Sequence, residues 1–527
     1  MKKSTAYKVL ITTSGTGSRL GEITQYTNKS LVKVGKKPAI SYIIEAYPKN
    51  TEFVVTIGYF GDQVCDFLKL VYPERVFKFV KVDRYEGAGS SLGYSMLQAA
   101  PQLQCPFIYH ACDTIVSGKK IPAPKTNWIG GFQGEGSSHY ASFDVVNGKV
   151  QKMHDKGMMD PDFLHIGLVG VQEHKAFWEN LRELYKKNPT NSALNDVEVI
   201  SKMIEQGSEF GVAPFEKWYD IGNVESLHRA RTEIEDSFRI LDKADESIFI
   251  FDKFVVKFFY DEKTVAQRVA RGKLLKGLAP EIEGSAKNFY RYKYANGKLY
   301  SKAATPVDFE KFLKWSKRNL WKPSYEVTDQ EFEKICHDFY YTKTTERIQK
   351  FLATRKVKDV EITINGEQVP TIKKMLKMID FDWLCSAEQS GFHGDFILDN
   401  LLKSKSGYVL LDWRQNFGGL LKSGDMYYDL SKLNHNLTVN HEIVNNDLFT
   451  IEVGENEVIC DIFRKENLVQ CQKVLFEFLD KNGYNTKKVK ILTALIWLNM
   501  SPLHHHPFDR FLFYFGKLNL WRALNEK

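Results

Sequence analysis

Over roughly the first 235 residues, short apolar runs rich in β-branched and aromatic side chains alternate with amphipathic stretches. Residues 9–11, 53–57, 76–82 and 106–109 read as strands, and residues 39–46 and 62–71 read as helices. Strand–helix alternation predicts an α/β, Rossmann-like domain: a mainly parallel sheet with helices on both faces. The pattern changes near residues 226–244. A charged helical stretch over 227–238 closes the first segment, and residues 247–259 predict two short strands turning at Asp252-Lys253. Beyond Ala303 the pattern is mostly helical, except near 360–369 and 408–411, and aromatics at helical spacing between Trp497 and Trp521 predict a helical core. A small strand-rich piece followed by a larger helical one predicts a two-lobed α+β domain. The expected division is 1–238 and 239–527, with a small lobe over about 239–300 and a helical lobe over about 301–527.

A length of 527 residues suits this division. With 43% hydrophobic and 13% aromatic residues, the chain has the apolar content of a globular protein and not of a disordered one. The net charge of +8 is spread over both halves without a long Lys/Arg run. That speaks against a nucleic-acid partner and suits phosphate-bearing small substrates. The 7 cysteines are scattered and form no CxxC pair, which argues against a zinc site or a disulfide framework and for a reducing compartment. Met1-Lys2-Lys3 opens like a secretory leader, but residues 4–17 hold no long apolar run. No stretch approaches the ~20 apolar residues of a membrane span. The expectation is a cytoplasmic chain without a membrane span, with oligomerisation left open. The run His504-His505-His506 reads as surface or packing, because consecutive histidines cannot all face one ion.

The first candidate site follows the first strand, at Thr12-Thr13-Ser14-Gly15-Thr16-Gly17-Ser18-Arg19-Leu20. Gly15 and Gly17 let backbone approach a phosphate, and Ser18 and free N–H groups can cradle its oxygens. Arg19 offers a forked cation to a triphosphate. A plain tight turn and a dinucleotide-binding turn are the other readings. The latter expects a third glycine where Leu20 stands.

The order of later segments resembles the sugar-phosphate nucleotidylyltransferase family, phosphocholine cytidylyltransferases included. Thr27-Asn28-Lys29-Ser30-Leu31-Val32 precedes Lys37-Pro38, where the family has Pro-Lys-x-Leu and then Pro before a helix. Here Asn28 stands for the usual Pro, and Thr13-Ser14 for Ala-Ala. The run Glu86-Gly87-Ala88-Gly89 is similar to the family's base-contacting segment, Lys156 to its acceptor-phosphate lysine, and Trp218-Tyr219-Asp220-Ile221-Gly222-Asn223 to its closing motif. The resemblance covers nearly all of residues 8–235 and implies attack of a phosphate on the α-phosphorus of an NTP, CTP or UTP foremost. Asp113 and Asp220 are then expected to hold Mg²⁺, Lys29 and Arg19 to neutralise the transition state, and Lys156 to orient the nucleophile. Glu86, Gly87 and Gly89 are expected at the nucleotide.

The sharpest motif is Phe392-His393-Gly394-Asp395-Phe396-Ile397-Leu398-Asp399-Asn400, followed after an apolar run by Asp412-Trp413. This is the spacing of a kinase catalytic loop and its metal-binding Asp. Asp395 is placed to accept a hydroxyl proton, with Asn400 and Asp412 holding Mg²⁺ on ATP and His393 bracing the nucleotide-binding loop from behind. These residues resemble the aminoglycoside phosphotransferase and choline kinase superfamily, as does Gly424-Asp425-x-x-Tyr428-Asp429-Leu430. The strand bearing Lys257 is similar to that of the ATP-phosphate lysine, and residues 290–294 to the hinge strand. Two departures stand out. No glycine-rich loop precedes Lys257, and residues 264–277 hold Arg268, Arg271 and Lys273 with no acid, Glu262 lying just before.

The two resemblances together imply a bifunctional enzyme. One half phosphorylates a small metabolite with ATP, and the other couples a phosphorylated metabolite to a nucleotide for surface polysaccharide. Arg414, after Asp412-Trp413, tilts the acceptor towards a sugar over choline or ethanolamine. A kinase-like half that only binds nucleotide is the remaining alternative.

Overall fold

The computed structural model describes residues 6–134, 138–158, 160–234 and 243–526. The expected domain boundary at 238/239, and the end of the predicted helix over 227–238, lie outside the described residues. The chain divides into two compact units, residues 1–265 with 283–292, and residues 266–282 with 293–527. The expected small lobe is thus divided between them.

The first unit is built on a nine-stranded sheet in the order Val76–Lys81, Glu52–Ile57, Lys8–Thr12, Phe107–Ala111, Phe163–Val171, Trp128–Phe132, Gly211–Pro214, Lys149–His154, Ser142–Val146. The first four strands are parallel. The expectation of a mainly parallel sheet needs correcting, because Phe163–Val171 runs antiparallel to both its neighbours and the far end is mixed.

The middles of the central strands, Val9–Ile11, Phe53–Val55 and Phe107–Tyr109, are buried and mostly apolar because both faces are covered. Side chains alternate across the sheet. Val9, Ile11, Phe53, Val55 and Ile108 pack with the helices Ala39–Glu45 and Gly61–Val71. Leu10, Val54, Phe107 and Tyr109 pack on the other side with Leu92–Ala99, His174–Lys187 and Asp196–Glu205. Trp178, 1% exposed, stacks on Phe107 at 4.9 Å and donates its indole N–H to Leu103 O at 2.9 Å. Such a stack contributes about 0.5–1.5 kcal/mol beyond the area it buries.

The predicted hairpin forms as Glu246–Ile250 and Phe254–Phe259, with Phe289–Lys293 in the same sheet. Its inward Phe249, Phe251, Val256 and Phe258 join the core of the helix Gly61–Val71, where Phe67 meets Phe249 at 5.6 Å and Phe289 at 5.7 Å.

The second unit is mostly helical. Its core gathers the helices Lys343–Arg355, Met426–Thr438, Thr486–Met500 and Phe508–Asn525. The pattern near 360–369 forms the short strands Ile362–Ile364 and Glu367–Val369. They share a sheet with Glu457–Ile462 and Phe449–Val453, two strands the sequence reading placed among helices. The signal was there: Val458 and Cys460 are buried and Ile459 is exposed, the period of two of a half-buried strand. All 7 cysteines are free thiols. No helix among the described residues is long and apolar enough to cross a membrane.

Candidate functional site

In the first unit the strand Lys8–Thr12 leads into the glycine loop. Gly17 has φ +70°, and a Cβ there would come 2.9 Å from Lys29 Cβ, so only glycine serves. A Cβ at Gly15 meets nothing within 4 Å, and that side of the loop faces open space. The loop is pinned from several sides. Ser14 Oγ lies 2.9 Å from Ser95 Oγ, and Ser14 O accepts from Tyr59 N at 2.9 Å. Asn28, fully buried, donates through Nδ2 to Thr13 O at 2.8 Å and Tyr59 O at 2.6 Å, while its Oδ1 accepts from Ser30 N at 2.9 Å. Asn28 therefore ties the phosphate-loop candidate to the turn Lys29–Leu31 through side-chain hydrogen bonds that proline could not make.

Asp113 follows the strand Phe107–Ala111, and the antiparallel pair Thr114–Ser117 with Lys217–Asp220 sets Asp220 opposite Thr114. Register thus brings together two carboxylates more than a hundred residues apart. Lys29 Nζ reaches Asp113 Oδ2 at 3.0 Å. A Cβ on Gly222 would lie 3.0 Å from Asp220 Oδ1, 3.2 Å from an Arg19 terminal nitrogen and 3.3 Å from Asp113 Oδ2. Asp113, Asp220 and Arg19 therefore converge on one gap, with Lys29 on Asp113. Burial pushes the Asp113 carboxyl up, but Lys29 and Arg19 outweigh it and hold the group below its ordinary value. Asp220 is raised, first by burial and then by the Asp113 charge. Tyr140, which sequence reasoning missed, donates its hydroxyl to Asp220 Oδ2 at 2.9 Å, and no local motif announces it.

Gly222→Ala places a methyl in this gap. It is expected to lower pyrophosphate release from NTP and acceptor at least about tenfold, through misplacement of the reacting groups. The melting temperature should stay close to that of the parent, and an unchanged rate in the folded variant would show that the gap is not where the reaction occurs.

Gly87 and Gly89 both have φ +78° in a turn beside Glu86, Gly87 exposed and Gly89 buried. A Cβ at Gly89 would come 2.9 Å from Pro189 O, so packing as well as conformation requires glycine there. Ser18 opens the 3-10 turn Ser18–Thr24. Lys156 is exposed in the turn after Lys149–His154, and among the described residues it has no ion pair with the two carboxylates.

In the second unit the residues 393–412 form a braced loop. His393, fully buried, lies 2.8 Å from Leu411 O through Nε2, and its Nδ1 accepts from Asp395 N at 3.3 Å. Burial lowers the imidazole to about 4, so it is neutral and carries its proton on Nε2. Asp429 accepts from His393 N at 2.8 Å, Gly394 N at 2.7 Å and Trp321 Nε1 at 3.1 Å. Asn400 donates to Asp395 Oδ2 at 3.0 Å, and Lys432 Nζ meets Asp395 Oδ1 at 2.8 Å. Burial pushes Asp395 up, but Lys432 overrides it and the group falls to about 2. Asp412 sits at φ +50° with Oδ1 at 2.5 Å from Arg268.

The arginines that broke the expected pattern are structural partners of this loop. Arg271, 1% exposed, donates to Phe392 O at 2.6 Å, Leu421 O at 3.0 Å and Arg414 O at 3.2 Å, and its guanidinium lies 3.7 Å over the Phe392 ring. Arg271→Met strands these buried carbonyls. A loss of about 3–5 kcal/mol in denaturant unfolding of the second unit is expected, and a loss under 1 kcal/mol would contradict a tether role. Lys257 lies in the strand Phe254–Phe259 of the first unit, across from Ile248. Glu262 is exposed at the start of the helix Glu262–Leu274.

No protein-family model matches the chain. A stretch of 71 residues, 13% of the chain, is 37% identical to the choline-phosphate cytidylyltransferase of Streptococcus pneumoniae and spans only 31% of that relative's length. Among solved structures, the CTP:phosphocholine cytidylyltransferase from Streptococcus pneumoniae is similar over 44% of this chain and 100% of its own, at 20% identity and a TM-score of 0.37. The inositol-1-phosphate CTP transferase from T. maritima is similar over 45% of this chain and 100% of its own, at 16% identity and a TM-score of 0.36.

Proposed function

We propose that the chain is a bifunctional transferase with domains near the expected 1–238 and 239–527, the first transferring a nucleotidyl group and the second a phosphoryl group. The observation that carries the first activity is the convergence of Asp113, Asp220 and Arg19 on the gap beside Gly222, with Lys29 on Asp113. Two carboxylates facing one gap, one of them raised by burial and then by the other's charge, are a donor set that fits Mg²⁺. Bound there, Mg²⁺ supplies Lewis-acid polarisation of the α-phosphate. The glycine loop around Gly15 and Gly17, with Ser18, binds the NTP phosphates through backbone N–H groups, and Glu86, Gly87 and Gly89 take the base. Arg19 and Lys29 oppose the charge that builds on the phosphorane oxygens. The acceptor's phosphate is already ionised and needs no base, and Lys156 is assigned to hold it.

In the second unit, Asp395 orients and deprotonates an acceptor hydroxyl attacking the γ-phosphorus of ATP. Asn400 and Asp412 are the donors for Mg²⁺. His393 keeps the loop in register without touching substrate. The acceptor is a sugar or another hydroxylated metabolite, and its phosphate is the first unit's substrate. Activated precursors for surface polysaccharide, made in the cytoplasm, are the product this pairing suggests.

Two further readings have a specific observation behind them. The 71-residue likeness favours CTP with phosphocholine or phosphoethanolamine in the first unit. The Arg268–Asp412 pair favours a second unit that binds nucleotide without turnover. One screen on the full chain with Mg²⁺ separates them. ATP is offered with free sugars, choline and ethanolamine, and ADP is read. CTP, UTP, GTP and dTTP are offered with the matching phosphates, and pyrophosphate is read. A matched alcohol and phosphate supports the bifunctional reading. Pyrophosphate without ADP from any acceptor leaves only the first activity, and neither product sinks both.

A further inference from the structure

Beside Asp395 the second unit gathers four cations on three elements. The helix Asp329–His337 passes through a π turn, Asp338–Thr342, into the helix Lys343–Arg355. Lys343 and Arg347 stand one helical turn apart on it. Lys343 Nζ lies 4.6 Å from the Phe339 ring centre, and the Arg414 guanidinium lies 5.0 Å from the same ring. Arg414 is fixed to the catalytic-loop candidate, because its N–H donates to His393 O at 3.0 Å. Lys432, from the helix Met426–Thr438, is the member that reaches Asp395. Arg347 donates to the side chain of Asn499.

The charges in this group do not balance. Burial lowers Lys343 to about 7, and the charged groups acting on it, Arg414, Arg347 and Lys432, all push the same way. Arg347 is lowered by burial and then by Arg414. Among the described residues only Lys432 has a carboxylate partner. Half-buried like charges held together cost stability unless something of opposite sign enters between them. π turns inside helices are frequent at functional sites.

We propose that the acceptor of the second unit carries an anionic group, a carboxylate or a phosphate, held by Lys343, Arg347 and Arg414 while its hydroxyl faces Asp395. This rests on the reading of Asp395 as the phosphotransfer base. Lys432 stays on Asp395 and separates the anion from the catalytic carboxylate. A choline or ethanolamine head would meet three like charges here, whereas a hydroxy acid or a phosphorylated polyol is drawn in. The acceptor oxygen bonds the γ-phosphorus of ATP as the bond from that phosphorus to the β–γ bridging oxygen breaks, ADP leaves with that oxygen, and the hydroxyl proton goes to Asp395.

The test uses glycerol, glycerate and glycerol 3-phosphate, one carbon skeleton with three end groups, together with choline. Each is titrated calorimetrically into the full chain with Mg²⁺ and a non-hydrolysable ATP analogue. Glycerate or glycerol 3-phosphate is expected to bind at least about tenfold tighter than glycerol or choline, and which of the two wins separates carboxylate from phosphate. Lys343→Gln and Arg347→Gln should erase that preference and Lys343→Arg should retain it, which places the effect in the second unit and not at the first unit's phosphate site. Equal binding of glycerol or choline, no binding by any of the four, or a preference untouched by Lys343→Gln overturns the proposal. ADP release with the same panel is read separately. Anion preference without ADP leaves the subsite and removes the phosphotransfer reading. ADP formed from choline as efficiently as from the acids does the reverse.

Discussion

Asp113→Asn is expected to lower pyrophosphate release by at least about 10³-fold while ADP release from ATP and acceptor stays at the parental rate. The size follows from what is lost. The carboxylate is one of two converging on the gap beside Gly222, and it alone carries the ion pair to Lys29. Removing a charged donor from a metal and transition-state cluster costs several kcal/mol of stabilisation. The Lys29 ammonium, raised above its ordinary value by Asp113 against the opposing effect of burial, then stands without its partner. Asparagine keeps the shape, so circular dichroism and melting should report a folded chain. A folded Asp113→Asn protein that still releases pyrophosphate at a tenth of the parental rate or more would falsify the assignment.

Asp395→Asn gives the converse result. ADP release falls about 10²–10⁴-fold, the range for loss of a positioned base, and pyrophosphate release from a supplied acceptor phosphate is unchanged. The loop should keep its fold, because its anchors are Asp429 on two backbone N–H groups and Arg271 on its carbonyls, neither of which is altered. The pH profile of the parent carries a second check. Asp395 is held to about 2 and His393 is lowered to about 4, so neither titrates between pH 5 and 8. ADP release at saturating substrates should be free of any limb from these groups in that window. Loss of both activities in a folded single variant would mean that the two reactions do not run at independent sites.

Much of the architecture was legible in the chain. Strand and helix periods are local, so Val9-Leu10-Ile11, the hairpin at Asp252-Lys253 and the strands flanking residue 365 could be read where they stand. The two glycine-bearing loops were legible for the same reason. Glycine marks positions free to turn left-handed, as Gly17 does at φ +70° and Gly394 at φ +86°. The mixed half of the sheet was not legible, because direction is set by which strand inserts beside Phe107–Ala111, and that is a matter of packing between distant segments.

What the sequence by itself determined is the set of chemical groups and their local spacing: the carboxylates Asp113, Asp220, Asp395 and Asp412, the glycine turns, and the apolar periods that bury a core. What only the tertiary structure decided is who meets whom. Tyr140 reaches Asp220 across 80 residues, Arg268 reaches Asp412 across 144, and Arg271 reaches Phe392 across 121. Residues 264–277 looked deficient when read for a missing acid, and the arginines there instead hold the loop 393–412. Of the cations Lys343, Arg347, Arg414 and Lys432 only Arg414 stood out in the sequence, and they become one field only where a π turn and two helices converge. Contacts of this kind depend on sheet register and helix packing, which no local period encodes.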